Sequence, residues 1–430
     1  MNTLIKNGTI VNYDGTVKSD ILVQDGIISK IDNVIENTDI DTDVIDAKGC
    51  FIFPGFIDCH THPGLPEDLG YMKDTNDFYT ETRAAKMGGT TTIFDFAEQQ
   101  KGETLAEALL KRKNRYEGKA GCRYEFHSAV THVGSDIYNE LSEVKKLGVR
   151  SVKIYTTYAM KLNNPDILKV MECCRELDLI VLVHCEDDSI INYCSKESFY
   201  PLTRPEEAET SMIYSIVNMA AITGCKVYIC HVSCSKSAEI IKEAKKDKLN
   251  VYFETCPQYL LLDSSLYYES DEEEMTKYIL SPPLREKKDN EALVKACLEG
   301  TVDVISTDHC AFLYEKHKKI FCRDMTKAAK GMPGIQLRGS LMYDLLVKKN
   351  KMPAENFVSL MSHNEAQIFN LKDRGTIKEG MKGDIVVWKD EKFKVAIDKI
   401  YEGTDYSPYE NMELEGKPQK VLMDMDKEKV

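Results

Sequence analysis

The sequence lacks any stretch of about 20 apolar residues uninterrupted by charge, which argues against a membrane-spanning role. Met1 to Gly15 shows no apolar core behind a basic start, so a secretory leader is not indicated and a cytoplasmic protein is expected. There is no surplus of positive charge either. Lys and Arg number 56 against 70 Asp and Glu, and the formal net charge of −14 would repel phosphate backbones. Nucleic acid is therefore not expected as a partner. The 14 cysteines form no C-x-x-C pair and no compact disulfide framework, and are read as reduced, buried, small apolar side chains. Apolar material itself is not scarce: 43% hydrophobic and 29% charged residues describe a cored globular protein and exclude intrinsic disorder. At 430 residues the chain exceeds the roughly 250–300 at which one core stops growing, so two structural units are expected.

Leu4 to Val34 alternates short β-type runs with the turn pairs Asn7-Gly8, Asp14-Gly15 and Asp25-Gly26, the pattern of a small antiparallel unit. Similar texture returns at Gly375-Thr376-Ile377 and from Gly383 to Trp388, so the two ends are expected to pair into one β-sandwich domain. Between them, apolar runs alternate with longer helical patterns such as Leu105 to Tyr116, Asp166 to Leu177 and Glu206 to Ala221, which predicts repeated βα units. The runs are Phe51 to His60, Thr90 to Phe96, Tyr124 to Val130, Ser151 to Tyr155, Ile180 to His184, Val227 to His231, Val251 to Thr255 and Val302 to Thr307. Eight such runs suffice for a closed (β/α)8 barrel of the TIM type. The expected division is 1–50 and 371–430 for the two parts of the β-sandwich and 51–370 for the barrel.

Chemistry in such a barrel belongs at the C-terminal ends of the strands. Candidate metal ligands fall there. His60 and His62 end the first run as His-Thr-His, and residues i and i+2 of an extended chain point to one side, where they can share an ion. His184 closes the fifth run, His231 the sixth, and Asp308 follows the eighth. Any one of these histidines alone would be an ordinary surface or core residue. Their common placement at one edge of one sheet points to metal binding. Lys153 lies inside the apolar run Val152-Lys153-Ile154-Tyr155, where an unpaired ammonium is costly to desolvate. It either snorkels to the rim, pairs with a carboxylate, or is carbamylated into an anion that bridges two metals.

His60-Thr-His62, Lys153, His184, His231 and Asp308, in that order and spacing, resemble the amidohydrolase superfamily, and within it the dihydropyrimidinase/hydantoinase branch. Supporting the narrower resemblance are Phe53-Pro54-Gly55-Phe56-Ile57-Asp58, Asp77-Phe78-Tyr79-Thr80, Thr82-Arg83-Ala84-Ala85, Gly88-Gly89-Thr90-Thr91, Glu254-Thr255-Cys256-Pro257-Gln258-Tyr259, Ser281-Pro282-Pro283-Leu284-Arg285 and Thr307-Asp308-His309-Cys310. The match runs from the first strand to about Tyr409.

The resemblance implies two divalent ions per chain, Zn²⁺ foremost, and N6-carboxylysine at Lys153. His60 and His62 would hold the more buried ion and His184 and His231 the more exposed one, with modified Lys153 bridging and Asp308 ligating the first. It further implies hydroxide attack on a ring amide, Asp308 as the proton carrier, and Tyr158 as the hydrogen-bond donor to the oxyanion. Ser281 and Pro333, in the Gly331-Met332-Pro333-Gly334 turn, would grip the substrate through backbone atoms. Many relatives have Asn where Pro333 stands, and proline keeps the carbonyl while losing the N–H. His127, His132, His317 and His363 fall outside the ligand pattern.

The implied activity opens dihydropyrimidine or 5-substituted hydantoin rings to N-carbamoyl amino acids. Dihydroorotases and allantoinases commonly carry Arg or Asn two places after the second histidine, where this sequence continues Pro63-Gly64. Non-catalytic dihydropyrimidinase-related binding proteins have lost ligands that are all present here. The loop from Pro63 to Asp77 is expected to cover the pocket and read the ring substituent. A homotetramer or dimer is the family expectation, although the stretch after Gly416 reads as short and charged.

Overall fold

The computed structural model describes residues 2–36, 41–65, 78–197, 199–269 and 271–424. Eight parallel strands follow one another in chain order: Phe56–Asp58, Thr90–Glu98, Arg123–Ala129, Ser151–Tyr155, Ile180–His184, Val227–Ile229, Val251–Thr255 and Val304–Ile305. The ring closes just beyond the strand ends, where Thr61 and His309 form a parallel bridge and the His62 N–H donates to the His309 carbonyl at 2.7 Å. Both faces of each strand are covered, which is why the runs read as near-continuous apolar sequence. Alternation still sorts the side chains. Val152, Ile154, Val181, Val183, Val227 and Ile229 face outward into the core shared with the surrounding helices, among them Leu105–Tyr116, Asn164–Glu176 and Glu206–Thr223. Ile57, Cys59, Phe94, Phe96, Ile180, Leu182, Tyr228 and Cys230 fill the barrel interior.

The termini build two further sheets. One has the strand order Glu413–Leu422, Ile385–Lys394, Phe51–Pro54, Thr9–Asn12, Gly15–Lys18; the other runs Ile27–Asp32, Asp20–Gln24, Asn2–Lys6, Thr42–Asp46. They share a core of Ile5, Ile10, Ile21, Val23, Ile28, Ile52, Ile385 and Val387. Two local expectations are corrected here. Phe51 to His60 is not one barrel strand: Phe51–Pro54 pairs antiparallel with Ile385–Trp388, and the barrel strand begins only at Phe56. Gly55 makes the break, packed so closely that a Cβ there would lie 2.1 Å from the Thr91 hydroxyl. Gly375 to Ile377 is not a strand, because the Asn12 side-chain amide takes both backbone groups of Ile377, at 2.9 and 2.8 Å. The stretch after Gly416 is strand as far as Leu422 and pairs with Ile385–Lys394. No helix among the described residues is long and apolar enough to cross a membrane.

Candidate active site

Strand ends deliver the ligand-type side chains to one mouth of the barrel. His60 and His62 lie just past Phe56–Asp58, Lys153 sits at the centre of Ser151–Tyr155, and His184 is the last residue of its strand. His231 stands two residues past Val227–Ile229, and Asp308 three past Val304–Ile305. All six line a single cavity of about 400 Å³, together with Tyr158 and Ser281. Pro333 does not line it. The turn that holds Pro333 instead fastens the barrel closure: the Cys310 N–H donates to the Met332 carbonyl at 3.1 Å, and the Gly334 N–H to His309 Nδ1 at 3.2 Å. The corresponding wall is Lys327 to Lys330.

His60, His62 and Asp308 form the first half of the site. Asp308 Oδ1 lies 3.2 Å from Nε2 of each histidine, and one ligand atom from each residue falls within 4.8 Å of the others. His60 turns its other nitrogen, Nδ1, to the buried carboxyl of Glu254. Burial drives His60 well below the ordinary histidine range, keeping it neutral, as a metal ligand must be. Burial opposes ionisation of Asp308, yet the neighbouring His60 and His62 hold its carboxyl below the usual value.

The second half is His184, His231 and Tyr158. The two imidazole centroids are 4.5 Å apart, and the Tyr158 ring lies 5.2 Å from His184. Burial lowers both histidines, although Glu186 raises His184 in part. Asp308, His231 and Tyr158 have φ of 51°, 38° and 69°. Left-handed backbone is uncommon for non-glycine residues and costs of order 1–3 kcal/mol, a strain that packing here imposes where side chains are aimed into the cavity.

Lys153 lies between the halves, 1% exposed. Its ammonium donates to Cys230 Sγ at 3.0 Å and lies 5.1 Å from the Phe96 ring and 5.2 Å from the Tyr155 ring. It forms no ion pair with a carboxylate among the described residues. The donor set fits a pair of divalent ions: neutral imidazoles, a carboxylate, a buried His231 Nδ1 without a hydrogen-bond partner, and a buried lysine lacking its own counter-ion.

The match to the model of the amidohydrolase family spans residues 51–424. The chain belongs to that family. This amidohydrolase is 36% identical to a D-hydantoinase of Geobacillus stearothermophilus, over 98% of its own length and 92% of the relative's. To a D-phenylhydantoinase of Escherichia coli K12 it is 34% identical, with 97% and 92% covered. The crystal structure of dihydropyrimidinase from Brevibacillus agri NCHU1002 superposes with a TM-score of 0.94 at 33% identity, covering 98% of this chain and 94% of the other.

Several buried groups of the amidohydrolase site escaped the sequence reading. Glu254 joins the halves, taking His60 Nδ1 and, at 3.1 Å, the His231 backbone N–H. Asp58 accepts from the Thr307 N–H at 3.1 Å and its hydroxyl at 2.7 Å, tying the last strand end to the first. Glu186 accepts from His184 Nε2 at 2.7 Å. The available signal was a carboxylate inside a buried strand run (Glu254) and one two places after a candidate ligand histidine (Glu186). His309 turns away from the cavity to pair with Glu81, and burial beside them pushes Glu402 up to about 7. Of the loop expected to cover the pocket, Leu65 lines the cavity; 66–77 lie outside the described residues.

Proposed function

We propose that this chain is a binuclear, metal-dependent cyclic amidohydrolase that opens dihydropyrimidine or 5-substituted hydantoin rings to N-carbamoyl amino acids. The observation that carries the reading is the meeting of four histidines, Asp308 and a buried Lys153 without a carboxylate partner on one cavity wall. The names of the relatives, hydantoinases and a dihydropyrimidinase, supply the substrate class.

His60, His62 and Asp308 would hold one ion and His184 and His231 the other, with Lys153 as N6-carboxylysine between them. Bound ions, Zn²⁺ foremost, lower the pKa of water to about 7 and polarise a carbonyl. The reaction adds water across the ring amide: oxygen bonds to the carbonyl carbon, and the carbon–nitrogen bond breaks. Asp308 is an ionised carboxylate able to take a proton at Oδ and pass it to the departing ring nitrogen. The Tyr158 hydroxyl, which burial keeps firmly protonated, donates to the oxygen that gains charge. Ser281 is held in place by its Oγ contact with the Tyr200 hydroxyl at 2.5 Å, so that its backbone can meet the cyclic amide. Pro333 could offer the cyclic amide only its backbone carbonyl, since proline has no N–H.

A cytoplasmic homo-oligomer, tetramer or dimer, completes the reading. All 14 cysteines are unpaired, as in a reducing compartment. Tyr214 and Ile222, 63% and 81% exposed on Glu206–Thr223, offer apolar surface to a second copy.

Metal analysis of the purified protein should find two divalent ions per chain, and dihydrouracil or hydantoin should open to the N-carbamoyl acid. Metal-free protein without ring-opening activity would refute the proposal.

A further inference from the structure

Glu186 and Arg204 touch both catalytic functions of the second half. Glu186 is two residues beyond His184, and the turn between them is clamped by Thr156. Its hydroxyl donates to the carbonyls of His184 and Glu186 at 2.7 and 2.9 Å, and the Glu186 N–H returns a bond to it at 3.0 Å. Fully buried Glu186 Oε2 takes two donors, His184 Nε2 at 2.7 Å and a guanidinium N–H of Arg204. The same guanidinium lies over the Tyr158 ring, 4.9 Å from its centroid. Behind it, the Arg204 carbonyl accepts from Arg285 at 2.7 Å, and Arg285 reaches Ser233 Oγ at 2.9 Å and Glu209 at 3.3 Å. Glu209 in turn accepts the Ser233 N–H at 3.0 Å, two residues past His231.

A carboxylate that accepts from Nε2–H fixes the tautomer, leaving His184 Nδ1 unprotonated and able to ligate a metal. A planar guanidinium over an aromatic face fixes the ring beneath it, as a lysine ammonium does not. Resting on the reading of the site given above, we propose that Glu186 and Arg204 are positioning residues forming one device: Glu186 sets His184 for the second ion, and Arg204, anchored on Glu186, sets Tyr158 for the oxyanion. A purely structural ion pair would affect stability and leave metal occupancy and turnover alone.

Glu186→Gln and Arg204→Lys separate the two roles. After dialysis against a chelator and back-titration with Zn²⁺, Glu186→Gln should bind its second ion about 10–100-fold more weakly, the usual loss when a ligand's supporting carboxylate is removed. Its first ion should be retained. Arg204→Lys keeps the charge on Glu186 and should keep both ions, while kcat for hydantoin falls about tenfold with KM within about twofold, as for a misaimed oxyanion donor. Should Glu186→Gln fail to fold by circular dichroism, Arg204→Lys carries the test alone. Wild-type zinc affinity in the first variant together with wild-type kcat in the second would overturn the device. A wild-type enzyme that binds two ions but opens no cyclic amide would instead refute the substrate reading, and the zinc titration would still decide the role of Glu186.

Discussion

Behind His60 and Asp308 stand the buried carboxyls of Asp58, Glu254 and Glu365 with one guanidinium, Arg338, 3.9 Å from both Asp58 and Glu365. Behind His184 and His231 stand Glu186 and Glu209, each in direct contact with its own arginine, Arg204 or Arg285. The electrostatic outcomes are opposite. Burial pushes Asp58, Glu254 and Glu365 above the ordinary carboxyl range, and Arg338 recovers only part of that cost for Asp58 and Glu365. Both oxygens of Glu365 lack a hydrogen-bond partner, as does Arg338 Nε. Glu186 meets the same burial, yet Arg204 and His184 bring it below its usual value. One half of the site is therefore backed by carboxyls that burial raises with a single distant guanidinium, and the other by carboxyls each in direct contact with its own arginine.

Lys153 belongs to both halves, so Lys153→Ala should erase the contrast. Both ions should be lost, and ring opening should fall by about a thousandfold or more, since each ion supplies several kcal/mol. Metal analysis and kinetics check this; retention of full metal and rate would exclude Lys153 as the bridge. The next effect is confined to the second half. Arg285→Met leaves buried Glu209 without its cation, which should cost about 3–5 kcal/mol in denaturant unfolding. An unchanged midpoint would show that the pair is not needed for stability.

A smaller, pH-dependent effect is expected behind the first half, at Glu402. Its folded value of about 7 stands above the ordinary 4.5. Between those values the unfolded chain releases a proton that the folded protein keeps, so wild-type stability falls as pH rises through that window. Glu402→Gln removes the titration: its Tm should match wild type near pH 4.5, pull ahead up to about pH 7, and hold a constant lead above. A pH-independent difference would contradict the raised value. The smallest effect is Glu365→Gln, where an amide replaces a carboxyl that burial pushes toward its neutral form; Tm should shift by no more than the few degrees that about 1 kcal/mol produces. A large loss would mean that Glu365 is ionised and belongs with the paired carboxylates of the second half.

Trp388 draws the contrast between the site and the terminal sheets. Its ring packs against Phe53, Phe56 and Tyr343 with centroids 5.2 to 5.8 Å apart, joining the five-stranded sheet to the barrel base. The Phe51 to His60 run crosses that junction, and its sequence does not reveal the crossing because residues on both sides of Gly55 are buried. Periodicity reports burial; when two adjacent strands are both covered on both faces it cannot say which sheet each joins. The outer helices and the inner strands were legible because their patterns have different periods and lengths. Lys153 was legible as an anomaly among apolar neighbours, and the histidines by their common place after apolar runs. Pro333 was assigned by its offset along a loop, and such an offset does not say which residue lines the cavity.

The order of residues alone determined which side chains are available for chemistry and that they emerge at one edge of a parallel sheet, because strand alternation and βα repetition are local properties of the chain. Only the tertiary structure decided which groups support them. Glu254 comes from a strand and Glu186, Arg204 and Arg285 from three separate loops, and a buried charge is stabilised or neutralised by whatever the fold brings within a few ångströms of it.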